Sequence, residues 1–159
     1  MSNPVKALKG KNVKKVYTNY RKNVKKVYTN YRLKTRALPI FYSYHEMFYK
    51  WTLDKKKYIK KIPENIVDLI DPIVLSYLIQ GDGNYDKGRK RVRIYTNSYT
   101  KSEVENLALA INIKLKIYTA VLHDRKDQWI LTIGANNLDL LRSIVSPYFH
   151  QSMLYRIGL

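Results

Sequence analysis

Apolar and polar positions follow two different periods along this chain, and the change of period marks out its elements. From Asp71 to Gly83, DPIVLSYLIQGDG, the apolar residues Ile73, Val74, Leu75, Tyr77, Leu78 and Ile79 follow almost without a break. Asp71 suits an N-cap and Pro72 the first helical position, so the stretch predicts a short helix that carries Asp82 at its end. With so little polar surface it must be covered on most sides, by the rest of the domain or by a second copy of itself. Gly81 and Gly83 flank the acid, which predicts a sharp turn that lets something approach closely. Pro63 to Ile70 gives a helical turn upstream. Downstream, a turn around Asp86 to Gly88 precedes Arg89 to Thr96, where the period falls to two. Arg89, Arg91, Arg93 and Tyr95 then share one face of a strand, and Val92 and Ile94 the other. An outward arginine ladder backed by an apolar face suits a sheet lying on nucleic acid; an exposed arginine-rich edge would give the same pattern.

The period returns to a helical one in Thr100 to Ile113, where Thr100 and Glu103 make a capping box and Val104, Leu107, Ala108 and Ile111 form a stripe. Two strands are expected next, Lys114 to Leu122 and Gln128 to Ile133, joined by the polar tip His123 to Asp127. Lys116 and Tyr118 fall on one face of the first, Gln128 and Thr132 on one face of the second. Asn136 is placed to cap a helix through Ile144, and after Pro147 a last turn carries Met153, Tyr155 and Arg156. The order is αββαββα, an α+β arrangement. One four-stranded antiparallel sheet with helices on a single face satisfies every apolar stripe.

Ahead of that region, KNVKKVYTNYR stands at 11–21 and again, unchanged, at 22–32. An eleven-residue period keeps register on a helix, and a helical wheel gathers Val13, Val16, Tyr17 and Tyr20 with their copies on one side. Lys11, Lys14, Lys15 and Arg21, with Lys22, Lys25, Lys26 and Arg32, fall opposite. The repeat therefore reads either as a basic amphipathic helix with one face along phosphates, or as an unstructured arm that supplies only charge, since Val, Thr, Asn and Tyr are mediocre helix formers; a membrane-surface helix is a third, minor reading. Residues 33–40 suit a strand, Phe41 to Trp51 a short aromatic helix, and Lys55 to Lys61 a charged linker. This divides the chain into a basic arm (1–32), a connecting region (33–62) and the αββαββα domain (63–159).

Composition narrows the partner. The 159 residues carry a formal net charge of +18. Twelve basic residues and no acid fall in residues 1–45, leaving +6 for the remainder. Such a balance implies a polyanionic partner, nucleic acid before anything else. No Cys is present, so disulfides and Cys-based zinc sites are excluded, and His45, His123 and His150 are scattered. No apolar run reaches the length of a membrane span, and residues 1–10 lack the apolar centre of a signal peptide. Abundant Lys, Asn, Ile and Tyr suit an AT-rich genome such as an organelle's.

Leu75, Ser76, Tyr77, Leu78, Ile79, Gln80, Gly81, Asp82 and Gly83 fall in order on the nine positions of the signature helix of the LAGLIDADG homing endonucleases, and the chain resembles that family. The flanks agree: Lys61, Ile62, Pro63, Glu64 and Asn65 upstream, Asn97, Thr100, Glu103 and Val104 after a strand, and Pro147, Tyr148, Met153, Tyr155 and Arg156 near the end. The resemblance covers about residues 57–158 and is strongest to the branch with Tyr at the third motif position. It implies a LAGLIDADG-like half-domain of the family fold, whose sheet saddles the DNA major groove. Residues 33–62 then correspond to the remnant and linker of a first repeat. The resemblance also makes Asp82 the metal-binding catalytic acid and puts Arg156 where relatives carry a basic residue, commonly Lys. Arginine there stays protonated and can only bind. Ser76, Tyr77 and Gln80 lie on the helix through which two copies associate.

Cutting both strands of DNA takes two such acids, and this chain supplies one. Two readings follow. The first is a repurposed, RNA-binding component of an organellar ribonucleoprotein, such as the mitochondrial ribosome or an intron-splicing assembly, with other proteins beside it and no cofactor. The second is a homodimeric, magnesium-dependent endonuclease acting on double-stranded DNA. A structural role for Asp82, closing its turn, stays open beside metal binding.

Overall fold

The computed structural model describes residues 13–18, 28–33 and 38–159. The chain divides into two compact units, Met1–Tyr44 and His45–Leu159.

In the first unit the described parts of the tandem repeat are neither the helix nor the unstructured arm expected of them. Strand β1 (Val13–Thr18) pairs antiparallel with β2 (Tyr28–Leu33), with Lys14 opposite Arg32, Lys15 opposite Tyr31 and Tyr17 opposite Thr29. The period of eleven is compatible with a helix, but Val, Thr and Tyr lose rotamer freedom there and fit a pleated surface better. Of the expected phosphate-binding residues in the repeat, Lys14, Lys15 and Arg32 sit on strands, while Lys11, Arg21, Lys22, Lys25 and Lys26 lie outside the described residues. Of the strand expected at 33–40, Leu33 belongs to β2 and residues 34–37 lie outside the described residues, while Leu38 and Pro39 lead into a helix, their carbonyls accepting from Phe41 and Tyr42 N–H.

That helix, α1 (Ile40–Phe48), is shorter than expected, because the chain turns at Tyr49 into β3 (Tyr49–Thr52). β3 pairs with β4 (Lys57–Lys60), so the supposed linker is one arm of a hairpin. The Thr52 hydroxyl donates to Lys57 O at 2.9 Å, and Lys56 takes the left-handed conformation at the tip. Alternating Tyr, Trp and Ile between lysines supplies the strand preference that the charge run concealed.

The rest of the second unit follows the expected order. α2 (Ile66–Leu69) leads into α3 (Pro72–Asp82), β5 (Gly83–Asp86) and β6 (Arg91–Tyr95). Then come α4 (Lys101–Leu115), β7 (Ala120–Arg125), β8 (Gln128–Ile133) and α5 (Leu138–Val145). The sheet has the order β5-β6-β8-β7, and every pairing is antiparallel. Val92, Ile94, Leu131 and Ile133 are fully buried on one face, in one core with Leu75 and Ile79 of α3, Val104 and Ile111 of α4, and Leu141 and Val145 of α5. The opposite face carries Asn84, Arg93, Thr132 and Ala120 in register across the four strands.

Boundaries differ at several places; β7 runs Ala120–Arg125, so His123 to Arg125 lie on the strand rather than in the expected tip. β6 begins at Arg91, so Arg89 sits in the preceding turn, its N–H donating to Asp86 Oδ1 at 3.2 Å. α4 runs on to Leu115, and Lys116 is its left-handed C-cap rather than a strand residue. Leu115 lies one turn beyond Ile111 and so extends the helical stripe, and Asn112 fastens the exit by accepting from Thr119 N at 2.7 Å. Finally, α5 is preceded by a 3-10 turn at Ala135–Asn137; Asn136 lies inside that turn, and Asn137 Oδ1 accepts from Tyr118 N.

The capping box at Thr100 is present in full. Thr100 Oγ1 accepts from Glu103 N at 3.4 Å, Glu103 Oε2 accepts from Thr100 N at 2.8 Å, and Glu103 Oε1 reaches Ile62 N at 3.1 Å. One carboxylate thus caps α4 and holds the segment entering α2. Glu103→Ala is expected to lower unfolding free energy by about 1–2 kcal/mol, more than Thr100→Ala, which removes only the cap. Urea denaturation of both variants measures the difference.

Candidate nucleic-acid interface and the acid beside it

Asp82 reaches its position because both ends of α3 are specified. Asp71 caps the start, accepting from Val74 N at 2.7 Å. At the other end the helix runs straight through Gly81 and Asp82 into β5, and Gly83 has extended backbone, so the sharp glycine turn does not form. Gly83 is required for space instead: a Cβ there would lie 2.5 Å from Ile79 O. Gly81 has nothing within 4 Å of where its Cβ would be, and Asp82 is exposed.

A C-terminal 3-10 segment, Gln151–Ile157, brings Arg156 to the same junction, where Nη1 donates to Gly83 O. Two side chains fasten this segment. Gln80 donates to Tyr148 O at 3.3 Å and accepts from His150 N at 2.9 Å. Arg142 donates to Ile157 O at 2.9 Å and to Gly158 O at 3.1 Å. Gln80 is therefore committed inside the chain. Ser76 is fully buried, with its hydroxyl on Ile73 O at 2.7 Å. Of the three residues expected to meet a partner helix, Tyr77 alone is free to do so. It is 68% exposed, and Ile73 and Val74 one turn before it and Gly81 one turn after it complete an open stripe.

Tyr99 was not singled out in the sequence. It is half-buried beside the acid; burial, then the Asp82 carboxylate, Tyr49 and Glu103, raise its hydroxyl pKa above 10.0. Its position just before the capping box marks it only as a packing residue. Among the described residues no cluster of three or more His, Asp or Glu side chains could hold a metal ion. Asp82 offers one hard oxygen side chain, too few for an all-protein cage but compatible with a divalent ion that also takes water and phosphate oxygens.

On the open face of the sheet the arginines differ. Arg91 is paired to Asp86, Nε to Oδ2 at 3.1 Å, with both side chains about four-fifths buried. Burial pushes the Asp86 carboxyl up, but the Arg89 N–H, the Arg91 hydrogen bond and the charges of Arg91 and Arg93 outweigh it and hold the pKa below 3.8. Arg93 has no such acid: it lies over Tyr95 at 5.7 Å, and its Nε, like Thr132 Oγ1 across the strand pair, is buried without a hydrogen-bond partner among the described residues. Gln128 sits at the end of β8 opposite Arg125. The structure therefore brings Arg91, Arg93, Tyr95 and Gln128 onto one sheet and leaves Arg89 and Lys116 off its strands.

A model of the LAGLIDADG DNA endonuclease family matches residues 6–141. The intron-encoded endonuclease ai4 of Dictyostelium discoideum is 34% identical over 116 residues, covering 72% of this chain and 69% of that protein. The cytochrome b mRNA maturase bI2 of Saccharomyces cerevisiae is 26% identical over 121 residues, covering 73% of this chain but 28% of the maturase. In three dimensions the chain matches the homing endonuclease I-WcaI bound to its DNA recognition sequence, with a TM-score of 0.76 and 21% identity, over 92% of this chain and 65% of that one. That likeness establishes the fold, with its four-stranded antiparallel sheet.

The environment of Tyr99 gives a titration that isolates it. The Tyr99→Phe difference spectrum should place its ionisation above pH 10.0, and Asp82→Asn should lower that value without abolishing the shift, because burial is the larger cause. Since the folded state holds this proton more tightly than the unfolded one, its contribution to stability is complete below pH 10 and is lost as pH rises through the raised value.

Proposed function

The chain belongs to the LAGLIDADG DNA endonuclease family, and from that membership we propose that it acts as a nucleic-acid-binding protein which grips structured RNA in an organellar intron ribonucleoprotein and does not itself cut. The observation that carries this reading is the lone acid. Asp82 has beside it a guanidinium tethered to Gly83 O, and among the described residues it belongs to no group of three or more His, Asp or Glu side chains. A charge of +18 supplies the grip. Relatives that mature cytochrome b mRNA favour intron splicing over a ribosomal place, and a respiratory organelle as the location. On this reading residues 33–62 are what is left of a first repeat.

A second reading is favoured by one specific observation, the open stripe Ile73, Val74, Tyr77 and Gly81 on α3. Two copies meeting through it would set two Asp82 carboxylates side by side, the number that double-strand cleavage needs. Magnesium would then supply Lewis-acid chemistry at the junction, with Asp82 of each copy as the hard ligand.

Incubation of the chain with magnesium and a DNA library separates the two. Site-specific double-strand cuts that vanish with Asp82→Asn would overturn the RNA-binding reading. Absence of cutting, together with retention of organellar intron RNA through high salt, would sink the nuclease. Both readings share an ionic-strength dependence. Binding should weaken steeply with salt, and Arg93→Ala should reduce the slope of log affinity against log salt by about one. Deleting residues 1–32, which removes ten positive charges, should flatten it far more. An unchanged slope would mean that the basic strands touch no phosphate.

A further inference from the structure

The hairpin β3–β4 forms a two-stranded sheet of its own, in which aromatic residues and lysines alternate. Its register sets Trp51 opposite Tyr58 and Tyr49 opposite Lys60, so these four share one face. The rings are contiguous. His45 at the end of α1 stacks on Tyr49, with centroids 4.8 Å apart and planes 8° from parallel. The same imidazole meets the edge of Tyr58 at 4.6 Å, and Tyr58 meets Trp51 at 5.0 Å. Trp51 is 47% exposed and Tyr58 54% exposed, and neither belongs to the hydrophobic core or packs against it. Two large rings held in fixed orientation yet left open to water are costly unless something covers them.

Charge identifies what covers them. Residues 49–61 contain six lysines and one acid, Asp54. Lys50, Lys57 and Ile59 lie on the opposite face of the hairpin, whereas Lys60 stands in the aromatic row and Lys55 and Lys56 at the tip. An apolar protein partner would not call for this density of ammonium groups, and an anionic lipid surface, which would attract them too, has no support in a chain matched by a DNA endonuclease family. Unpaired bases joined by phosphates match both features: each base has a π-face for a ring, and each phosphate an acceptor for a lysine. Paired bases do not match, since a duplex buries its π-faces in its own stack.

We propose that the β3–β4 hairpin is a stacking platform for single-stranded nucleic acid, with Trp51 and Tyr58 receiving bases, Lys55, Lys56 and Lys60 following the backbone, and His45 with Tyr49 holding the rings in place. This surface is separate from the four-stranded sheet and stands whether that sheet takes DNA or RNA.

The full chain is titrated into a fluorescein-labelled oligouridylate of on the order of ten nucleotides, with oligothymidylate as a second arm and a mixed-sequence duplex as competitor. Replacing both rings, Trp51→Ala with Tyr58→Ala, should weaken single-strand binding by about tenfold or more and leave the salt slope and duplex affinity in place. Trp51→Phe with Tyr58→Phe should restore most of the loss. Arg93→Ala should do the reverse, lowering duplex affinity while sparing the oligouridylate, so failure of the platform is distinguishable from failure of the sheet. In a Trp129→Phe background, where Trp51 is the remaining tryptophan, single strands should quench its emission saturably. Unchanged single-strand affinity in the double alanine variant, or equal displacement by duplex, would overturn the proposal, as would equal loss in the phenylalanine pair. Tighter binding of the uridylate than the thymidylate would assign the platform to RNA, and equal binding to single strands of either sugar.

Discussion

The junction at Gly83 admits no side chain, and the second unit is arranged around that exclusion. Because the backbone of Ile79 occupies the space where a Cβ would lie, α3 can pass directly into β5 and leave Asp82 at the rim of the sheet. The carbonyl of Gly83 is then available to Arg156, which can reach it only because Gln80 and Arg142 fasten the C-terminal segment from two sides. Burial supplies the stiffness that makes the arrangement reproducible. Leu75 and Ile79 are fully covered, and truncating either would cost about 2–5 kcal/mol. Acid, guanidinium and phenol are thus held by backbone contacts and packing, with little reliance on one another.

Electrostatics divides the molecule's cations into those the fold uses and those left for a partner. Arg91 is spent on Asp86, and Arg142 on the last carbonyls of the chain. Arg93 and the lysines of β3–β4 have no acid within salt-bridge distance among the described residues. An uncompensated guanidinium is tolerable at a half-buried site only because the sheet face stays open to water or to an anion. Function is thus visible as charge that folding has not consumed.

The αββαββα order was legible because each stripe has one dominant period and one clear cap. Thr100 with Glu103, and Asp71 with Pro72, fixed helix starts without reference to any neighbour. Where two periods were both permitted, packing decided. Eleven residues of Val, Lys, Tyr and Thr satisfy a wheel and a strand alike, and the antiparallel partner in the second copy settled the matter. Lys116 was misplaced because Leu115 and Ile117 alternate like a strand while Asn112 and a left-handed cap actually end a helix there. Tyr99 and the commitment of Gln80 were invisible for a different reason. Both depend on groups far away in sequence, Asp82 for one and His150 for the other, and no local pattern encodes such distances.

The hairpin at the start of the chain has a further implication. Its strands are VKKVYT and YTNYRL, and apart from Leu33, which follows the repeat, they are drawn from different parts of one eleven-residue unit that overlap in the dipeptide Tyr-Thr. In the observed register this dipeptide faces its own copy, Tyr17 across from Thr29 and Thr18 across from Tyr28. A single unit contains the dipeptide once and cannot serve as both strands. Doubling the cassette therefore did more than add charge: it furnished a segment with its own pairing partner, and loss of either copy would leave the other with an unpaired edge.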